Sequence, residues 1–403
     1  MTIELDPMFT TDVAPDLSGF CRERLSPLTR SDQRRWGEVY IRGLITVPGR
    51  KSIRRISDYV VGWRADQCLQ QFVNQSTWQW EPVRRNLAEY VTGLVVPKAW
   101  VVSEAVFPKN GASSVGVAKQ YAPSAGRILN CQLGLTVQLA GDSASCPVNW
   151  RLLLPRCWDT DEPRRERAHV PTAQRHRPYW SYLLDAVDEM TVGWDLAPAP
   201  VLVDASDQGD VELLLRGLED RGLRYLVQVA PHLPARPARP RAPGGRVPSV
   251  GELALLAVRP AASTLNWQTR TEARAATTRF VASPVPGEVE TPRLVGTAVH
   301  RHRHRPPRHL LVQWTVGRSR PRATWLTNLN VARLPQLIDL VKLSARAGDH
   351  LGRMHDDVGL RHFEGRSFRG WHHHVTMSSI AYAYRLGQEL HDRPDELLLR
   401  PYA

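Results

Sequence analysis

The amino-acid sequence predicts an α/β protein, and three features of its patterning support that prediction. From residue 99 onward, short apolar runs alternate with polar residues in period two, as in β-strands. Residues 200–229 have the pattern of a strand, an amphipathic helix and a second strand, which is typical of a βαβ unit. Both ends of the 403-residue chain instead repeat apolar residues every three or four positions, as amphipathic helices do. We therefore expect a sheet with flanking helices.

The N-terminal pattern predicts a small all-α domain over residues 1–95. Helices are expected at residues 33–43, 53–62, 66–72 and 81–94, with Pro48, Gly49 and Asn74 between them. Six arginines fall on these helices, and either DNA contacts or simple solvation of the surface would account for them. They are Arg34, Arg35, Arg54, Arg55, Arg84 and Arg85.

The sheet is expected mainly within residues 96–231. Strands are predicted at residues 99–106, 114–121, 128–139, 200–205 and 223–229, and helices at residues 178–190 and 211–221. Two further helices, at residues 336–358 and 375–390, belong to a C-terminal segment covering residues 336–403. The core is thus predicted to form from two separate parts of the chain.

The intervening segment, residues 232–335, differs from the rest of the chain in charge. Residues 233–335 contain 17 arginines, no lysine and four acidic residues, so this stretch alone accounts for the whole net charge of +13. Its Pro-rich start, residues 233–245, excludes helix and interior strand, while residues 252–259, 309–316 and 323–328 alternate like strands. We interpret it as a β-rich basic insertion. It favours a polyanionic partner, and a solvated surface insertion is the alternative.

Composition excludes several classes of protein. With 42% apolar residues the chain can form a globular core, and its five cysteines lack the CxxC spacing of a structural zinc site. No run approaches the ~20 apolar residues of a membrane span. Asp6, Asp12 and Asp16 lie where a signal peptide needs a basic end and an apolar stretch. We expect a cytoplasmic protein that neither spans a membrane nor is exported.

Several motifs resemble those of one known family. Residues 107–111 (FPKNG), 114–121 (SVGVAKQY), 126–134 and 153–158 are similar to the first half of the catalytic domain of bacterial insertion-sequence transposases of the DDE class. Residues 325–329 (WLTNL) and 359–376 (GLRHFEGRSFRGWHHHVT) resemble a later strand and the C-terminal signature of that family. The similarities follow the family's order and cover nearly the whole chain.

The resemblance implies an RNase H-like fold, in which helices flank a mixed sheet and a β insertion precedes the last catalytic helix. It also implies three carboxylates that hold two divalent cations. Two cations about 4 Å apart activate the attacking oxygen and stabilise the leaving oxygen of a phosphoryl transfer. Hard oxygen ligands are those that Mg²⁺ prefers.

The three acidic positions of the family transfer unevenly to this chain. The middle acid corresponds to Asp204, which follows the apolar run at residues 201–203. The first corresponds to Glu104, next to Ser103; its longer side chain moves the carboxylate by about 1 Å, an error that can cost about 10²-fold in rate. The third corresponds to Gly348, which offers no ligand atom.

Nearby acids do not replace the missing ligand. Asp349 is rotated by about 100° around the helix from Gly348, and Glu364 lies more than about four turns further along. We therefore expect that the two-metal site is lost and that no cofactor is bound, with Mg²⁺ or Mn²⁺ needed only if DDE cleavage persists. No metal site is assigned.

Two histidine-rich segments, residues 300–304 and 372–374, suggest transition-metal ligands at first sight. Three consecutive histidines on one helix point in different directions, however, and residues 372–374 are an ordinary part of the family signature. The alternating histidines and arginines of residues 300–304 suit phosphates better. We favour structural and phosphate-binding roles over metal binding.

The sequence thus predicts a transposase-like protein of the DDE insertion-sequence type that has lost strand cleavage and retains a DNA-binding or other role. DNA and a second copy of the chain are the expected partners. Three alternatives stay open: a still active metal-dependent transposase, a protein-interaction scaffold, and an enzyme for a small molecule with Asp204 as general base near His350 or His355. Phosphate contacts are expected from Arg301, Arg303, Arg305, Arg308, Arg318, Arg320 and Arg322.

Overall fold

The chain folds into two compact units, each assembled from separate stretches of sequence. The computed structural model describes residues 17–237, 246–257, 263–271, 274–286, 306–315 and 317–392. The first unit comprises Met1–Val96, Glu104–Arg177 and Ala347–Ala403, and the second comprises Pro97–Ser103 and Pro178–Arg346. This division differs from the four segments expected from sequence, because the N-terminal helices share a unit with strands and with the C-terminal helix.

Five helices open the first unit. Apolar residues at helical spacing form the buried face of the second of them, where Tyr40, Ile41 and Leu44 are buried. Gly43 allows a close approach there, since a Cβ on Gly43 would lie 2.4 Å from the side chain of Ile56. The helices are α1 (Leu17–Arg24), α2 (Ser31–Thr46), α3 (Ile53–Ile56), α4 (Asp66–Asn74) and α5 (Trp80–Val95).

The strands of the first unit form antiparallel pairs around one long strand. They are the second half of β1 (Ala99–Pro108), β2 (Ala118–Ala122), β3 (Arg127–Ala140) and β4 (Ser145–Leu153). β3 pairs with β2 along its first half and with β4 along its second half. The sequence did not predict β4, because its polar residues Ser145 and Asn149 are buried together with its apolar ones and hide the alternation.

A long C-terminal helix, α11 (Phe368–Asp392), provides the centre of the first unit. It is buried almost continuously from Phe368 to Leu386. A helix buried on all sides has no amphipathic pattern, which explains why the sequence predicted only its later part, residues 375–390. The short helix α6 (Glu162–Arg167) also belongs to this unit.

The second unit contains the parallel strands. Its strand order is β1–β5–β6–β10–β9–β8–β7, with β5 parallel to both β1 and β6 and the remaining pairs antiparallel. The two units together thus contain a mixed sheet with helices, which confirms the predicted fold class. The elements are α7 (Tyr179–Asp188), β5 (Val201–Asp204), α8 (Val211–Asp220), β6 (Tyr225–Gln228), α9 (Val250–Leu256), β7 (Ser263–Thr271), β8 (Arg274–Pro284), β9 (His309–Thr315) and β10 (Ala323–Thr327).

Within the basic segment, one predicted strand is wrong. Residues 252–259 were expected to be extended, but helix α9 covers most of them. Ser249 and Glu252 form a capping box: the Ser249 hydroxyl accepts from the Glu252 backbone N–H, and the Glu252 carboxylate accepts from that of Ser249. This S-x-x-E signal was present in the sequence and decides the helix start.

Helix α10 (Leu334–Asp357) follows the basic segment, close to the predicted residues 336–358. It passes from the second unit into the first at Ala347. Within the described parts of the chain, no helix is both long enough and apolar enough to cross a membrane.

Candidate functional site

Asp204 is exposed at the carboxyl end of β5, where a parallel sheet presents its functional side chains. Its Oδ1 accepts from the backbone N–H of Ser206 (3.0 Å) and from the Ser206 hydroxyl (2.6 Å), and its Oδ2 accepts from the Gln228 amide (3.2 Å). The carboxylate is therefore held in one orientation. Val102 of β1 is paired with Val203 of β5, so one step further along both strands Ser103 is level with Asp204.

Glu104, the residue assigned to the first acidic position, points away from the side of β1 that Ser103 occupies, because successive side chains of a strand alternate. Its environment is that of β3, where burial and the nearby Glu104 carboxylate raise the pKa of the Cys131 thiol. The β1 residue level with Asp204 is thus a serine without a carboxylate. The motif alignment does not reveal which β1 residue lies beside Asp204, because that depends on the register between β1 and β5.

Gly348, assigned to the third acidic position, lies on the exposed face of α10. The adjacent face is buried through Ala347, Leu351 and Met354. A Cβ added at Gly348 would meet no atom within 4 Å, so packing does not require a glycine there. A residue with a side chain could therefore begin there without a clash at its Cβ.

The other acids considered from sequence are placed as follows. Asp349 is exposed beside Gly348, and Glu364 pairs with Arg50 at 2.6 Å. Among the described residues, no three His, Cys, Asp or Glu side chains are grouped so that they could hold a metal ion. Of the three positions that the resemblance assigns, Gly348 offers no ligand atom, so the residues at these positions do not fit a three-carboxylate metal centre.

The prediction that Arg308 contacts phosphate is wrong, because the residue forms a buried ion pair. Its side chain is fully buried, and its guanidinium donates to Glu219 (2.7 Å) and to Glu212 (2.8 Å). Both glutamates lie on one face of α8 at a spacing of seven residues. The same guanidinium donates to the Arg236 carbonyl, so it fixes both the start of the basic segment and the start of β9.

Of the seven arginines expected to contact phosphate, three others lie on one turn. Arg318, Arg320 and Arg322 lie between β9 and β10, and all three side chains are exposed. No acidic residue occurs between Thr315 and Ala323. The turn is therefore a concentrated positive surface. Arg301, Arg303 and Arg305 lie outside the described residues, as do His300, His302 and His304.

Comparison with known families identifies the family of this chain. The sequence model of the family described as DDE superfamily endonuclease matches residues 24–283, well over half of the chain. The chain belongs to this DDE family. The match includes Glu104 and Asp204 and ends before α10, which carries Gly348. No curated protein matches the sequence.

Two motifs that carry the DDE resemblance meet within the first unit. The Lys109 ammonium, from residues 107–111, donates to the Phe363 carbonyl, from residues 359–376. The backbone N–H of Val115, from residues 114–121, donates to the Arg366 carbonyl (3.0 Å) and so ties a third motif to the same C-terminal segment. Burial lowers the pKa of Lys109 to about 8. These motifs therefore hold each other in place, a role that their separation in sequence conceals.

The consecutive histidines of the DDE signature are core residues of the first unit. All three are buried, and burial lowers their pKa values, to about 3 for His373 and His374. Their rings point to three different sets of partners, as expected from their positions on a helix. The partners are Arg84 for His372, the carbonyl groups of Val73 and Trp78 for His373, and Tyr40 with the Leu360 carbonyl for His374.

His350 and His355, the two histidines proposed as acid–base partners of Asp204, both lie on α10. The Nδ1 of His350 lies 2.6 Å from the Tyr382 hydroxyl. The Nδ1 of His355 is buried and has no hydrogen-bond partner among the described residues. Burial is the main reason that the pKa of His355 falls to about 4, with Arg361 and His362 adding to the effect.

Replacing His355 by leucine is expected to reduce the sensitivity of folding to acid. The folded pKa of about 4 lies below the ordinary histidine value of about 6.5, so the unfolded chain takes up the proton first. The resulting stability is fully present above pH 6.5 and is lost as pH falls toward 4. Between pH 7 and pH 4.5, urea unfolding should show the variant losing about 2 kcal/mol less than the wild type.

The exposed His232 supplies the control for this measurement. His232→Leu removes an exposed histidine in place of a buried one, and the two variants are compared over the same pH range. If His355→Leu and the wild type lose stability in parallel over this range, the assigned role of His355 is wrong.

Proposed function

We propose that this member of the DDE family binds DNA through its basic segment and does not cut it. The observation that carries the proposal is the contrast between two regions of one fold. The arginine turn between β9 and β10 offers cations to a polyanion, while the position assigned to the third metal ligand is a glycine in open space.

Loss of cleavage is supported by what stands beside Asp204. The β1 residue level with it is Ser103, and the assigned helix position is Gly348, so carboxylates are missing at two places where the family's chemistry needs them. A two-metal clamp needs each acid both as a ligand and as a counter-charge for two cations. Asp204 alone supplies too few ligand atoms and too little negative charge for two divalent cations.

DNA binding is supported by charge and exposure. Residues 233–335 carry the whole net charge of the chain, and Arg318, Arg320 and Arg322 of this segment are exposed without acidic residues between them. Each phosphate that such a surface neutralises releases counterions, which makes binding favourable at low salt. The roles of a small-molecule enzyme or a scaffold have no comparable support from the described side chains.

The purified chain is expected to bind duplex DNA with an affinity that falls steeply with salt, and to leave supercoiled plasmid intact in Mg²⁺ or Mn²⁺. Replacing Arg318, Arg320 and Arg322 together by alanine should reduce the slope of log K against log salt by about 3, because each phosphate contact contributes about 0.9. Fluorescence anisotropy at several salt concentrations measures the slope.

A matched variant shows whether weaker binding comes from loss of the turn or only from the lower net charge. Arg127, Arg156 and Arg167 are also exposed, and alanine at these three positions removes the same charge elsewhere. Equal losses in the two triple variants would contradict a binding role for the turn. Nicking by the wild type that disappears in Asp204→Asn would contradict the loss of cleavage.

A further inference from the structure

Three large aromatic side chains lie on or beside the surface of the N-terminal helices of the first unit. Trp63 is 54% exposed and Tyr59 is 50% exposed. Trp36, on α2, is partly buried, and its ring meets that of Trp63 edge to face with centroids 6.5 Å apart. Exposed aromatic side chains that lie in contact with one another are typical of interaction surfaces.

The chain holds Trp63 in a defined position. A π-helical turn, Ser57–Val61, follows α3 and contains Tyr59; it ends at Gly62, whose φ of +74° lies in the left-handed region. The Ser57 hydroxyl accepts from the Ala65 N–H (2.7 Å) and donates to the Trp63 carbonyl (3.0 Å). Irregular turns of this kind are frequent at functional sites, and here hydrogen bonds fix the turn.

One arginine contacts these rings, and three more lie near Tyr59 and Trp63 in the sequence. The Arg35 guanidinium lies over the Trp36 ring, 5.5 Å from its centroid. Arg54, Arg55 and Arg64 are exposed on the same stretch of chain. The nearby acids are Asp58, 4.0 Å from Arg54, and Asp66 at the start of α4. Arginines therefore outnumber carboxylates around the aromatic group.

We propose that Trp36, Tyr59, Trp63, Arg35 and Arg64, here called the aromatic surface, form a stacking site for single-stranded DNA. Unpaired bases present their flat faces to exposed rings, and arginines beside the rings neutralise the phosphates of the same strand. Duplex DNA keeps its bases stacked internally and cannot use the rings. The inference goes beyond the proposed function, which concerns duplex phosphates and a different segment of the chain.

Binding of the full chain to a dT oligonucleotide of about 15 residues tests the proposal, with anisotropy as the readout. Trp63→Ala is expected to weaken binding about tenfold or more, because stacking of one base on an aromatic ring is lost. Trp63→Phe, which keeps a ring, should restore most of the affinity. Tyr121→Ala removes an aromatic side chain of similar exposure, 49%, outside the aromatic surface and should change nothing.

Duplex binding, measured on the same samples, keeps this proposal separate from the preceding one. It should be the same in Trp63→Ala and wild type, and its complete absence would end the duplex proposal without touching the single-strand result. The aromatic surface is refuted by wild-type affinity in Trp63→Ala, by equal losses in Trp63→Phe and Trp63→Ala, or by failure of the wild type to bind the oligonucleotide. Circular dichroism of each variant identifies loss of fold.

Discussion

Replacing Arg308 by methionine is expected to lower the free energy of unfolding by about 3–5 kcal/mol. The substitution leaves the Glu219 carboxylate, whose side chain has no exposed surface, without the guanidinium 2.7 Å away. A buried charge without its partner cannot recover the hydration that it lost on folding. The Arg236 carbonyl loses this donor as well, so the start of the basic segment and the start of β9 should loosen. Urea unfolding at neutral pH measures the change.

Two variants show whether the effect comes from the buried charge. Arg216 pairs with Glu212 at 2.6 Å on the exposed side of α8, and Arg216→Met should cost less than about 1 kcal/mol. Adding Glu219→Gln to Arg308→Met should recover part of the loss, since the stranded charge is then removed. A double variant as unstable as the sum of the two single ones would show that Arg308 and Glu219 act independently.

Arg84→Met is expected to destabilise the first unit by about 3 kcal/mol or more. Arg84 is 1% exposed and joins α5 to β4 and α11, donating to the Trp150 carbonyl (2.9 Å), the Thr376 hydroxyl (2.9 Å) and the His372 Nδ1 (3.0 Å). Methionine fills part of the volume but removes the charged donor. The Trp150 carbonyl keeps the Arg151 guanidinium at 3.1 Å. The Thr376 hydroxyl and the His372 Nδ1 each lose the Arg84 donor, at about 1–3 kcal/mol for each. Thermal and urea unfolding measure the loss.

The neighbouring residue on α5 provides the control. Arg85 is exposed and pairs with Glu89 at 3.0 Å, so Arg85→Met should change stability by less than about 0.5 kcal/mol. Similar losses of stability in the two variants would contradict the role assigned to the buried hydrogen bonds of Arg84. The sequence had offered DNA contact or surface solvation for Arg84, and its burial excludes both.

Elements with local signals were predictable, and residues whose partners are distant in sequence were not. The apolar run before Asp204 predicted β5 and the exposed acid at its end, because three apolar residues followed by a polar one mark a buried strand reaching the surface. The burial of Arg308 was not predictable. Its partner Glu219 is 89 positions away, and an arginine within an arginine-rich segment gives no local sign that it is paired.

At the candidate site, too, some features could be predicted from the sequence and others depend on strand pairing. Motif spacing assigns the third acidic position to Gly348. A Cβ added there would meet no atom within 4 Å, so packing does not explain why this residue is a glycine. Motif spacing also selected Glu104, whereas the pairing of β1 with β5 brings Ser103 level with Asp204. A shift of one residue reverses the face of a strand, and only the hydrogen-bonded register determines it.

The contacts between the N-terminal helices and α11 set the order of events on the ribosome. Arg84 and Thr376 are 292 positions apart, so the helix that covers the N-terminal segment emerges roughly 15–60 s later at about 5–20 residues per second. During that interval the N-terminal helices can pack against one another, but the surfaces that will cover α11 are still without that partner. Exposed apolar surface of this kind favours aggregation until it is covered.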